Sequence, residues 1–289
     1  MFINKISPSK LKTYNECKKK YQFKYVDYLQ GIYNENSNTD ALQYGSYVHK
    51  IFELGTELES IEELQKLAGE LRDNYTFPSV KEKNLQVILE NFFKFNKKLE
   101  TTISNEMVFE IDIDKDVKIN GIIDRVVKGK SGSYLVIDYK TSRRPTPKHE
   151  LFTDPQMLMY AFAVSKLMNV PVDKISVAHY YPHLDELVSV KFGRTQMSVF
   201  LRGLKQKIWE IRKKKKNQLT PTLNQYCNWC QHKDLCPEFG GTPEMLEEAK
   251  KCEQAKRTAQ KVQESKFDNR EQAKTKLLDC YDTNTHEVT

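Results

Sequence analysis

The sequence of 289 residues has no run of about 18 or more uninterrupted apolar residues, the length a membrane-spanning helix needs. Its start, MFINKISPSK, lacks the apolar centre of a secretory signal. No internal repeat is present, so a solenoid or propeller is not expected. A strong excess of one charge is also missing: the net charge of +7, with a pI near 8.9, is only mildly basic and favours a polyanionic partner modestly. Cysteine is sparse, with Cys17, Cys227, Cys230, Cys236, Cys252 and Cys280 making six in all. These absences lead to the expectation of an intracellular, cytoplasmic, soluble protein with no membrane partner. In a reducing compartment, clustered cysteines suggest metal binding or catalysis more than disulfides.

What is present is ordinary for a globular chain: 39% hydrophobic, 11% aromatic and 29% charged residues, enough for one large domain or two small ones with ample core. Ser7 to Tyr25 reads as one helix, with Ser7 as N-cap and Pro8 in its first turn. YNENSNTD, residues 33–40, reads as a loop. Tyr44 to Leu71 reads as helix, interrupted near Gly55 or Ser60, and Lys81 to Leu99 as another. After Thr101 the pattern turns to strands: EMVFEIDID, VKINGIIDRVV and SYLVIDYK form a meander. DPQMLMYAFAVSKLM reads as a helix capped by Asp154. KISVAHYYP and ELVSVKF are two more strands, and Thr195 to Lys216 is a helix ending in RKKKK. From Thr242 on, the chain is dense in Lys, Glu and Gln and reads as a solvated helix or partly disordered tail. The order predicts an α/β fold, a mixed central β-sheet flanked by helices.

Asp138 and Lys140 are two apart on a strand, so they point to one face. KGKSGS can turn the chain back, which brings Asp124 close to Asp138 across an antiparallel ladder. Two adjacent carboxylates repel unless a cation sits between them, and a hard divalent ion such as Mg²⁺ or Mn²⁺ prefers such oxygens. Lys140 beside it would orient an attacking water or offset charge on a phosphate. The alternative is a solvated surface hairpin, against which Val136 and Ile137 argue by suggesting a buried strand. His49, in QYGSYVHKIFE, would add a nitrogen ligand if its helix abuts the strand pair, favouring Mn²⁺. Gln156 and Tyr160 are four apart and share a helix face, as a phosphate- or base-binding pair or as a plain surface pair. Glu106 and Glu110 are both open as further site members.

Cys227, Cys230 and Cys236 form C-x2-C-x5-C, a soft-metal pattern. Cys17 as fourth ligand would give four thiolates, fit for a [4Fe–4S] cluster; His232 instead would give a Zn²⁺ site. Spacing leaves both open. RKKKK and Arg143–Arg144 read either as a phosphate path or as a solvated helix end.

Six stretches carry a resemblance: SPSKLKTYNECKKKYQFKYV, YGSYVHKIFE, GIIDRVV, VIDYKTS, DPQMLMYAF and CNWCQHKDLC, in that order from Ser7 to about Phe239. The chain resembles the RecB-type branch of the PD-(D/E)xK nucleases and its iron–sulfur members, which include the AddB nuclease domain and CRISPR-adaptation exonucleases. The resemblance implies a restriction-endonuclease-like fold over residues 1–240, with a helical insertion around 44–100 and a cluster loop at 227–236; the charged, helical or partly disordered tail at 241–289 has no counterpart in it. It implies metal binding by His49, Asp124, Asp138 and the Tyr139 carbonyl, with Mg²⁺ or Mn²⁺. Lys140 would be the catalytic lysine, and Gln156 and Tyr160 would contact DNA. Cys17, Cys227, Cys230 and Cys236 would hold a [4Fe–4S] cluster. The implied activity is exonucleolytic hydrolysis of DNA from single-stranded ends, in repair or recombination. Lys18 stands where relatives commonly have proline after the first cysteine. No G-x-x-x-x-G-K-[ST] pattern is present, so the expectation is a stand-alone nuclease or a subunit inactive without a helicase or recombination partner, the other alternative being a non-catalytic, zinc-containing nucleic-acid-binding module.

Overall fold

A computed structural model describes residues 4–29, 39–78 and 83–259. In chain order the elements are β1 (Lys5–Ile6), α1 (Pro8–Glu16), α2 (Lys18–Tyr21) with a π-helical turn (Gln22–Val26), α3 (Thr39–Gly55), α4 (Ile61–Arg72) and α5 (Leu85–Lys98). Then come β2 (Thr101–Asp114), β3 (Val117–Lys128), β4 (Tyr134–Tyr139), α6 (Lys148–Leu151), α7 (Pro155–Leu167), β5 (Ile175–Tyr181), β6 (Glu186–Lys191) and α8 (Arg194–Lys213). Residues 243–259 are helical. Most of the loop read at 33–40, the start of the helix read from Lys81, and the tail beyond 259 with Cys280 lie outside the described residues. No helix of the described residues is long and apolar enough to cross a membrane.

The chain divides into two units, one of residues 1–16 and 35–219 and one of residues 17–34 and 220–289. The first unit is built on a six-stranded mixed sheet in the order β1-β3-β4-β5-β6, with β2 also on β3. β3 and β4 are antiparallel, β4 and β5 parallel, as the sequence pattern predicts for a hairpin followed by a crossover helix. β2 pairs with β3 along its whole length. The other edge of β3 is shared: β1 takes Lys118 and Ile119, and β4 takes Arg125 to Lys128. Among the described residues, 120–124 meet no strand on that edge.

Each face of the sheet carries its own core. On one, α7 is apolar all round, Met157 through Val164, and so is buried against Ile119, Val136, Ile175 and Val177. Asp154 starts it by accepting the Gln156 N–H at 2.8 Å, with Pro155 next. On the other face α3 and α5 lie over Ile137, Tyr139 and Tyr180. Phe52 and Phe92 stack at 4.0 Å and both meet the Tyr139 ring edge-on. Between α3 and α4 the chain breaks as read, and Ser60 restarts it with a capping box to Glu63.

The single helix read over Ser7 to Tyr25 is interrupted where the second unit begins. Cys17 is extended (φ −159°, ψ 113°) and its Sγ accepts the Lys20 N–H at 3.5 Å, so it caps α2 rather than continuing α1. Among the described residues, the buried apolar side chains of this unit are few: Tyr21, Phe23 and Leu29.

Candidate active site

The ladder between β3 and β4 ends at Arg125 and Ile137. One residue further on each strand are Asp124 and Asp138. Instead of pairing backbones there, the Tyr139 N–H donates to Asp124 Oδ2 at 2.7 Å. Burial, then the charge of Asp138, pushes the Asp124 carboxyl up to about 8. This is the conflict between neighbouring acids that a cation removes.

The helix α3 brings His49 to the same place, its Nδ1 3.4 Å from Asp124 Oδ2. Burial holds its pKa below the ordinary value, so the ring is a neutral donor of a lone pair near pH 7, and the Tyr139 carbonyl faces it within hydrogen-bonding reach. The anchor is the aromatic packing of Phe52 and Phe92 on Tyr139, with Phe52 three residues along α3 from His49. Glu106 of β2 joins them: His49, Glu106 and Asp124 each offer a ligand atom within 4.8 Å of the others. Its backbone is left-handed (φ 48°) within a strand, a sparsely populated state for a residue other than glycine. Burial, then Glu53, raises its pKa. Glu110 goes elsewhere, into ion pairs with Lys5 at 2.5 Å and Lys118 at 2.9 Å. Of the two glutamates left open by the sequence, only Glu106 reaches the acids.

Asp138 is buried, its side chain only 4% exposed, and Lys140 Nζ lies 2.5 Å from its Oδ2. Burial alone would lower the Lys140 ammonium, but Asp138 and Asp124 more than offset this and hold it above its usual pKa. On α7 the Gln156 amide donates to Asp138 Oδ1 at 2.7 Å and to the Tyr160 hydroxyl at 2.8 Å. His49, Asp124, Asp138, Tyr139, Lys140, Gln156 and Tyr160 therefore converge. A further residue, His179 on β5, carries no motif that singles it out in the sequence. It stands in register with Asp138, with Nε2 3.7 Å from Asp138 Oδ2. Burial keeps it below its ordinary pKa. Alternation in ISVAHYY puts it on one face, but only the β4–β5 register shows which residue it faces.

Two hollows flank the acids. One of about 480 Å³ is lined by Gly45, His49, Glu106, Asp124 and Thr141. The other, about 790 Å³, is lined by Ser7, Gly121, Thr146, Gln156 and Tyr160. Gly121 is required in its floor, because a Cβ there would come 2.8 Å from the Phe109 ring. The oxygen-rich donor set with one imidazole fits Mg²⁺ or Mn²⁺.

In the second unit, Cys17, Cys227, Cys230 and Cys236 each accept a backbone N–H, from Lys20, Asn224, His232 and Glu238. Burial raises the Cys230 and Cys236 thiols, and the neighbouring cysteines raise them further. Thiols with backbone donors and like-charge pressure fit a metal centre. No three of these thiols come within 4.8 Å of one another among the described residues. His232 is buried against Phe23, and burial first, then Lys20 and Lys24, lowers its ring to about 4.

The model of the PD-(D/E)XK nuclease superfamily matches residues 5–237. A subunit of an ATP-dependent helicase/deoxyribonuclease from Streptococcus agalactiae is 28% identical over 200 residues, which is 63% of this chain and 18% of that protein. Its counterpart in Streptococcus mutans is 26% identical over 199 residues, again 63% and 18%. The chain thus spans under a fifth of the length of these relatives. A solved structure of a protein provisionally assigned as an exonuclease, from Eubacterium rectale, is 14% identical, with 79% of this chain and 88% of that one covered at a TM-score of 0.49. The family match runs from β1 through all four grouped cysteines and takes in every residue of the acid–lysine site: the chain belongs to the PD-(D/E)XK nuclease superfamily.

Proposed function

We propose that the chain hydrolyses DNA phosphodiesters with a divalent metal, as an exonuclease on single-stranded ends. The observation that carries the hydrolytic reading is the group of His49, Glu106 and Asp124, whose ligand atoms lie within 4.8 Å of one another beside the Tyr139 carbonyl, with Asp138 and its Lys140 next to Asp124. His49, Asp124, Asp138 and the Tyr139 carbonyl would hold Mg²⁺ or Mn²⁺, and Glu106 adjoins them. When bound, the ion supplies Lewis acidity and a more acidic water. Lys140 keeps its proton and offers a fixed positive charge to a phosphate oxygen or to the attacking water. Gln156 holds Asp138 Oδ1 and Tyr160 together and so fixes the carboxylate's orientation. The single-strand and exonuclease parts rest on the resemblance to CRISPR-adaptation exonucleases.

The four thiols would hold a [4Fe–4S] cluster, with Zn²⁺ as the alternative. A second reading follows from the relatives, whose name joins helicase and deoxyribonuclease: the activity would then depend on a helicase partner.

The test is degradation of end-labelled single- and double-stranded DNA by anaerobically purified protein with Mn²⁺, Mg²⁺ or EDTA. Metal-dependent loss of label from one end is expected. Lys140→Ala should lower kcat about 100- to 1000-fold, the scale for losing one transition-state charge contact. Complete resistance of the DNA to well-folded, iron-loaded wild type with either metal would rule out the stand-alone enzyme. Activity on adding a helicase would then favour the second reading.

A further inference from the structure

Behind the acids a chain of buried polar side chains leads away from the metal-facing side. His179 and Asp138 are each about 4% exposed in their side chains. His179 Nε2 has no hydrogen-bond partner among the described residues. Asp138 Oδ2 is held by the Lys140 ammonium at 2.5 Å. The unsatisfied Nε2 faces this oxygen at 3.7 Å. On its other side His179 Nδ1 lies 3.2 Å from the Tyr181 hydroxyl. That hydroxyl accepts the Thr146 N–H at 2.8 Å and lies 2.9 Å from Thr146 Oγ1. Thr146 sits between Pro145 and Pro147 in the segment that follows Lys140, beside the exposed Arg143 and Arg144, and it lines the larger hollow with Gln156.

We propose that His179 and Tyr181 are positioning residues: they brace the rear oxygen of Asp138 and tie it to the Thr146 segment. The inference rests on the reading of Asp138 as a metal-holding carboxylate. Once Lys140 turns to a phosphate this oxygen loses its donor, and a buried carboxylate oxygen without one is costly. An imidazole N–H on Nε2 supplies that donor with a shift of less than about an ångström. This tautomer needs Nδ1 to accept: the Tyr181 hydroxyl, which accepts the Thr146 N–H and donates to Thr146 Oγ1, would turn its proton to Nδ1 and take the Thr146 hydroxyl as a donor instead. The imidazole is then fixed from both ends, as carboxylate-backed histidines are fixed around metal centres. The same contacts hold the arginine-bearing segment at a set distance from the acid.

The test uses the full chain. Mn²⁺ binding is read by the loss of the free-ion paramagnetic resonance signal for wild type, Asp138→Asn, His179→Leu and His179→Gln. Binding by wild type that Asp138→Asn weakens establishes the acid as a ligand; equal binding by both defeats the reading beneath the proposal, separately from the brace. Given a weakened Asp138→Asn, His179→Leu should lower Mn²⁺ affinity about 10- to 100-fold. His179→Gln, which keeps a donor near Nε2, should recover most of it. Unchanged affinity in His179→Leu, or no recovery in a folded His179→Gln, would overturn the brace. Tyr181→Phe, which keeps the ring, should speed trypsin cleavage at Arg143 without metal and lower kcat with KM for DNA unchanged. A cleavage rate equal to wild type would overturn the tie to the segment.

Discussion

At the residue scale the site is defined by charges that do not suit one another until something is added. Asp124 has a folded pKa near 8 against about 3.9 unfolded, because burial and Asp138 disfavour its ionised form. A group raised in this way contributes stability that is full below the unfolded value and is lost as pH rises through the folded one. In EDTA, melting of wild type is therefore expected to fall between about pH 4 and pH 8 relative to Asp124→Asn. Saturating Mn²⁺ should restore wild type at pH 8, by about 2.7 kcal/mol at 100 times Kd, and leave Asp124→Asn little changed. Calorimetric melts at both pH values with and without metal measure this. A wild type that melts higher at pH 8 than at pH 5 in EDTA, relative to the variant, would contradict it. The acids, Lys140 and the Gln156–Tyr160 pair were legible in the sequence because each depends on local counting, two along a strand or four along a helix. The choice of Glu106 over Glu110, and His179 altogether, were not, because their place depends on which strand lies beside which.

At the element scale, α7 both covers the sheet and aims Gln156 at Asp138. Gln156 is the second residue of that helix, and its N–H is the one that Asp154 caps. Asp154→Ala should cost about 0.5–2 kcal/mol of stability. Because the lost cap frees the first turn, kcat should fall further than stability alone implies, with Gln156→Ala giving no additional loss in the double variant. Urea unfolding and single-turnover rates separate the two effects. Most elements could be read from periodicity and caps: Ser60, Asp154 and the glycines of the KGKSGS turn all act where the pattern puts them. The helix break at Cys17 could not, since Leu11, Tyr14, Tyr21 and Tyr25 keep helical spacing across it. A thiol that caps α2 overrides that spacing.

At the scale of the whole molecule the two units differ in what holds them. The first has two apolar cores, one on each face of its sheet. The second has Tyr21, Phe23 and Leu29 as its buried apolar side chains among the described residues, too little to order a unit by burial alone. Its four grouped thiols supply the missing constraint if they bind metal, and the binding energy is then folding energy. Anaerobic Cys17→Ser should lose most of its iron, about four atoms per chain in a [4Fe–4S] centre, together with its protease resistance in residues 220–259. Cys252→Ser, changing an exposed thiol, should lose neither. Zinc in place of iron in the wild-type protein would decide for the alternative centre.

Among the described residues, the stretch of β3 from 120 to 124 meets no strand on one edge because β1 leaves it early and β4 joins it late. The acids stand at the end of that gap, and the larger hollow opens over it. Completing the sheet there, by lengthening β4 pairing past Ile137 or β1 past Ile6, would add backbone hydrogen bonds and seal the hollow. Selection for thermal robustness alone would thus drive this fold toward a better sheet and a silent enzyme, and variants recovered from such a selection should cluster along this one edge.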